Sequence, residues 1–180
     1  GLILDLHWFD QMGDLRFAPS RWPDPAAMVE QLRRDGFHLT LIEEPYLTEH
    51  SRLYTEARAA GFLARRPDGA PYLFDTWVGR AALADFSNPA VRRWWAAEHQ
   101  PLVEMGIDGN WLDLVEPLEQ PIDMVHHAGP ASVVHNRFAD LMVEAVADAW
   151  QAYAPGRRPF IMTRAGFAGG QRSGMCLWSG

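Results

Sequence analysis

Five short apolar runs, each closing on polar residues, constrain this chain more than anything else in it. Leu2 to Trp8 carries Asp5 and His7. Phe37 to Ile42 closes on Glu43-Glu44-Pro45. Ile107 to Leu114 holds Asp113, with Glu116 just beyond. Pro159 to Thr163 closes on Arg164, and Met175 to Trp178 is the fifth. Stretches of helical spacing lie between them. Near-continuous apolar strands alternating with amphipathic helices are the mark of a parallel sheet covered by helices. Polar residues gathered at strand C-terminal ends favour an α/β fold of the (β/α)8 barrel type, where catalysis sits at that end.

The helices have readable punctuation. Asp24 reads as an N-cap before Pro25, Met28, Val29 and Leu32 share a face up to Asp35, and Gly36 closes the turn. A short helix covers Ser51 to Ala60. Asn88-Pro89 opens another to about Met105, which Pro101 should kink. Residues 135 to 153 carry Phe138, Leu141, Met142, Ala145, Val146 and Ala149 at helical spacing. Residues 46 to 87 otherwise read as loop, with a hairpin tip at Pro67-Asp-Gly-Ala-Pro71. Glu116 to Val134 reads as a loop rich in Pro, His and Gly.

A whole barrel of this type needs about 250 residues. The chain has 180, opens directly in a strand and lacks an initiator Met. The expectation is a fragment of a single (β/α)8 catalytic domain, truncated at both ends and inactive alone.

Composition narrows the function classes. A net charge of −7 without a basic stripe argues against nucleic acid as a partner. No apolar stretch reaches membrane-spanning length. The single cysteine, Cys176, lies in an apolar run and is expected to be a buried, inert thiol. The compartment stays open between cytoplasm and periplasm or secretion, and so does the oligomeric state. No Gly-rich phosphate loop is present. Acyl transfer lacks a Gly-x-Ser-x-Gly elbow. His126, His127 and His135 lack metal-ligand spacing. No metal and no cofactor is expected. The eight Trp are unusual. Most should be core, but flat indoles also stack on sugar rings.

The segment Gly106-Ile-Asp-Gly-Asn-Trp-Leu-Asp-Leu-Val-Glu-Pro117 concentrates the chemistry. It delivers Asp113 to the end of a buried strand, with Trp111 two residues earlier on the same face. Glycoside cleavage through an oxocarbenium-like transition state needs two carboxyl groups flanking the sugar. Asp113 is a candidate nucleophile, or an Asp that caps its loop through backbone amides. Glu116 reads as orienting the loop or bonding substrate. Asp5 and His7, alternating along one strand, point into the barrel as hydroxyl readers or as a buried ion pair. Arg164 can pair with Asp113 or Asp5 and hold the nucleophile ionised.

These motifs resemble the catalytic barrel of glycoside hydrolase family 31, which contains α-glucosidases, α-xylosidases and α-transglucosylases. The similarity runs over essentially the whole chain. It is carried by Leu4-Asp5-Leu-His-Trp8, Trp22-Pro-Asp-Pro25, Asp85-Phe-Ser-Asn-Pro89, Gly106 to Pro117, His135-Asn136, Arg158 to Arg164, Gln171-Arg172 and Leu177-Trp-Ser-Gly180. The resemblance implies Asp113 as nucleophile of a retaining mechanism. It implies Asp5 and Arg164 as holders of the sugar, and Trp77, Trp111 and Trp178 as the walls of that subsite. It places the acid/base directly after Gly180. Ile42-Glu-Glu-Pro-Tyr46 and Met12-Gly-Asp14 look most like a bacterial subgroup of 4-α-glucosyltransferases and α-glucosidases. Val115 departs from the Asn or Gly usual there. The expected activity is retaining cleavage or transfer of α-glucosides, with an oligosaccharide or α-glucoside as partner. The other reading is a non-catalytic carbohydrate-binding or scaffold protein on a degenerate barrel.

Overall fold

A computed structural model describes residues 1–180. In chain order the elements are β1 (Leu2–Leu4), α1 (Pro25–Arg34), β2 (Leu39–Glu43), β3 (Tyr46–Thr48), α2 (Arg52–Ala60), β4 (Phe74–Thr76) and β5 (Gly79–Leu83). Then follow α3 (Pro89–Met105), β6 (Gly109–Leu112), β7 (Val125–His126), β8 (Gly129–Pro130), α4 (Ala131–Tyr153), β9 (Phe160–Thr163) and β10 (Met175–Leu177). Strands β1, β2, β6, β9 and β10 form one parallel sheet in that spatial order. This is part of a (β/α)8 barrel, with the expected five strands.

The helix signals work as read. The Asp24 carboxylate accepts from Ala27 N at 2.9 Å, and Pro25 occupies the first turn. Asn88 does the same for Ala90 N, also at 2.9 Å. Helix α3 continues through Pro101 to Met105. Val29 is buried, and Met28 and Leu32 pack against the core beside it.

Strand register sorts the side chains into two faces. One set of rows runs Leu4–Leu41–Asn110–Ile161–Met175 and Glu43–Leu112–Thr163–Leu177. It faces the helices. Trp95 and His99 of α3 bond Glu43, and Trp150 of α4 donates to Asn110. Trp95, Trp150 and Phe138 are fully buried there, each large aromatic stabilising the fold by roughly 1.5–3 kcal/mol. The alternate rows, Ile3–Thr40–Gly109–Phe160 and Ile42–Trp111–Met162–Cys176, face the barrel interior. No layer covers that side at its N-terminal end, so Ile3 and Phe160 are 47% and 44% exposed. Gly109 lies between strands where a Cβ would sit 2.2 Å from Phe160 O, so no larger residue fits.

Several expectations need correction. Strand β1 stops at Leu4, and His7 turns the chain at φ 72°, so Asp5 and His7 do not alternate along one strand. Both are exposed, Asp5 just after β1 and His7 in the turn that follows. Residues 46 to 87 are not mainly loop. Strands β3, β5 and β4 form a three-stranded antiparallel sheet there. The Pro67–Pro71 tip is real, with Arg66 N donating to Ala70 O at 2.8 Å. Helix α4 begins at Ala131, one turn early, after the small β7–β8 hairpin. Cys176 is exposed, not buried, because it lies on β10, the edge strand of the sheet, where its neighbour Leu177 is exposed as well.

Candidate active site

The interior rows continue one step past the strand ends. Asp113 N donates to Glu43 O at 3.0 Å, and Trp178 N donates to Thr163 O at 3.0 Å. The parallel ladder therefore runs on, and pleat alternation brings Glu44, Asp113, Arg164 and Trp178 to the same face at the same level. The C-terminal end of the sheet thus gathers two acids, one guanidinium and an indole side by side.

Asp113 Oδ1 accepts from Leu114 N at 2.9 Å and lies 3.5 Å from Arg164 Nε. Leu114 adopts a left-handed φ of 52°, an uncommon conformation for a branched residue and a frequent companion of functional sites. Burial pushes the Asp113 carboxyl up. The Leu114 amide and Arg164 oppose this without overcoming it, and Glu116 and Asp5 add to it. Arg164 is closer to Glu116, donating from Nε to Oε1 at 2.7 Å. It therefore bridges two carboxylates instead of serving Asp113 alone. Asp5 accepts from its neighbour Leu6 N at 2.7 Å and forms no ion pair with Arg164. It reaches Asp113 only through its charge.

The aromatic residues divide the same way. Trp111 packs edge-on against Trp178, ring centres 5.2 Å apart. Trp111 Nε1 and Glu116 Oε2 are buried without a protein partner, as are Trp22 Nε1 and Arg52 Nε away from this site. Trp77 stands at the tip of the β4–β5 hairpin and is 50% exposed, while the other Trp are buried or half-buried. Two bonds fix it. Its backbone N donates to Glu119 Oε2, and its indole Nε1 donates to Glu44 Oε2, both at 3.0 Å. Glu119 N in turn donates to the Tyr46 hydroxyl at 2.9 Å.

Glu44 escaped the sequence reading, although Glu43-Glu44 was visible at a strand end. Two adjacent acids on one strand must face opposite ways. Glu43 faces the helices, so Glu44 faces the cleft. Burial pushes the Glu44 carboxyl up to about 8, with Trp77 and Arg164 pulling down and Asp113 and Glu119 pushing up. The expected residues Asp113, Arg164, Glu116, Trp111 and Trp178 thus meet in one cleft. Trp77 joins through Glu44, and Asp5 stands at the margin.

All of residues 1–180 match the model of the TIM-barrel domain of glycosyl hydrolases family 31. The chain belongs to glycosyl hydrolase family 31. Alpha-glucosidase 2 of Bacillus thermoamyloliquefaciens is 29% identical over 191 residues, covering 99% of this chain and 24% of that protein. The family 31 dextranase of Flavobacterium johnsoniae, solved with glucose, superposes with a TM-score of 0.90 at 28% identity, covering 99% of this chain and 23% of that one. A family 31 α-xylosidase from a soil metagenome, solved with xylose, gives 0.89 at 26% identity over 99% and 27% of the two chains. The chain spans about a quarter of the length of these family 31 relatives. No helix is long and apolar enough to cross a membrane.

Proposed function

We propose that these residues belong to a retaining α-glycosidase acting on α-glucosides, and that they form part of its single (β/α)8 catalytic domain. Asp113 is the nucleophile. It attacks the anomeric carbon from the face opposite the leaving oxygen, and the C–O bond to the leaving group breaks as the carboxylate–carbon bond forms. The leaving oxygen takes a proton from an acid that we place directly after Gly180. Water then attacks the glycosyl-enzyme, giving hydrolysis. A second sugar hydroxyl in its place gives transfer.

The observation that carries this reading is Asp113 at the C-terminal end of β6, the central strand of the parallel sheet, level with Arg164 and Trp178. Arg164 favours the ionised carboxylate against burial, and Asp5, Arg164 and Glu116 supply charged groups that meet sugar hydroxyls. Trp111, Trp178 and Trp77 offer flat apolar walls. The test is Asp113→Ala in the full-length protein, assayed on an aryl α-glucoside. Loss of at least about 10⁴-fold in kcat is expected. A variant that keeps a tenth or more of wild-type kcat sinks the assignment.

A further inference from the structure

The carboxylates around the cleft outnumber the cation that serves them. Asp113 is influenced by Asp5 and Glu116, and Glu44 by Asp113 and Glu119, with Arg164 facing both. Arg164 is taken up by Glu116 at 2.7 Å and Asp113 at 3.5 Å, which leaves Glu44 without an ion-pair partner. Yet Glu44 is the most enclosed of the group at 2% exposure. An enclosed carboxyl with no cation is costly when charged. Its Oε2 meets the Trp77 indole N–H, and Trp77 is a half-exposed ring on the β4–β5 hairpin. A rigid strand end is thereby tied to an indole on a hairpin tip.

We propose that Glu44 is a positioning residue for the glycosidase reaction: as a neutral acid it holds the Trp77 indole as a wall of the sugar pocket. This rests on the glycosidase reading above. A bound sugar encloses Glu44 further, so substrate binding favours the uncharged form. Ionising Glu44 places a second negative charge beside Asp113 and opposes that binding. The groups facing it are Asp113 and Glu119 after β6, Arg164 after β9, and the Trp77 N–H; the Tyr46 hydroxyl on β3 also senses its charge. With the Glu44 carboxyl at about 8, the effect belongs on the alkaline side of the activity profile.

The test uses the full-length protein and an aryl α-glucoside whose phenolate leaves without a proton. kcat/KM is followed from about pH 6 to about pH 10, since it reports groups of the free enzyme. Wild type should lose about tenfold per pH unit above about pH 8, through a rising KM. Glu44→Gln cannot ionise and keeps an acceptor oxygen for Trp77. Its alkaline fall should vanish, and it should keep most of the kcat/KM that Glu44→Ala loses. Glu44→Ala should raise KM about tenfold while kcat moves less than about threefold. The shape of the profile does not depend on how much variant is folded. An active enzyme whose Glu44→Gln variant keeps the wild-type alkaline fall, or whose Glu44→Ala variant keeps the wild-type KM, overturns this role alone. A wild-type protein inert toward every α-glucoside overturns the glycosidase reading and this role together.

Discussion

Replacing His99 by leucine should cost the fold about 3–5 kcal/mol, and a second substitution should give part of it back. Glu43 is buried and accepts from Trp95 Nε1 at 3.2 Å, His99 Nε2 at 3.0 Å and Asn110 Nδ2 at 3.0 Å. His99 is completely buried, and its Nδ1 faces the Trp95 carbonyl at 2.8 Å. A carbonyl can only accept, so Nδ1 carries a hydrogen, and a further proton lies between Nε2 and Glu43. Burial opposes a charged His99, but Glu43 and the Trp95 carbonyl outweigh it and raise the His99 pKa. His99→Leu removes the cation and strands a carboxylate in the core. Adding Glu43→Gln removes the charge, leaving at worst a mismatched neutral donor worth about 1–3 kcal/mol. The single variant should melt roughly 6–20 °C lower, and the double variant should recover at least about 3 °C of that. The linkage has a definite sign. A raised histidine pKa contributes stability that is complete below the ordinary histidine range and fades as pH rises through the folded value. The gap between wild type and His99→Leu should therefore narrow in alkaline buffer. Melting curves by circular dichroism at several pH values measure all of this. If the two substitutions add, or if Glu43→Gln worsens His99→Leu, the buried pair is not charged as described.

Gly109→Ala should destabilise by about 1–3 kcal/mol, because the new methyl meets the Phe160 carbonyl at 2.2 Å between paired strands; urea unfolding checks it, and a change under about 0.5 kcal/mol contradicts the packing. Residues 1–180 produced alone should show no turnover of an aryl α-glucoside, since the sheet ends on bare edges at β1 and β10 with Ile3 and Phe160 open to water. Measurable turnover by that piece would contradict the expectation.

The parallel sheet was legible because its strands are apolar on both faces and its helices carry strong caps at Asp24, Ser51 and Asn88. The antiparallel sheet was not. Strands β3 and β4 are three residues long, and β5 opens on a glycine, so no window holds enough alternation to separate them from loop. The site divides similarly. Asp113 and Arg164 end strands whose apolar runs point straight at them. Asp5 looked like a strand residue because Leu6 and Trp8 continue the alternation, but the left-handed turn at His7 carries no sequence signal, since it is not a glycine. Glu44 was hidden by its neighbour. Only knowing that Trp95 and His99 hold Glu43 from the helix side shows which of the two acids enters the cleft. Cys176 was misplaced because an apolar run implies burial, whereas β10 is an edge strand and leaves both Cys176 and Leu177 exposed.

The central claim is that Asp113 forms the bond to the sugar. Treating the full-length enzyme with a glucose-configured cyclitol epoxide and mapping the adduct by peptide mass spectrometry tests it directly. The label is expected on Asp113, at one per active site, with activity lost in step. A label on Glu44, Glu116 or any residue other than Asp113 would contradict the account.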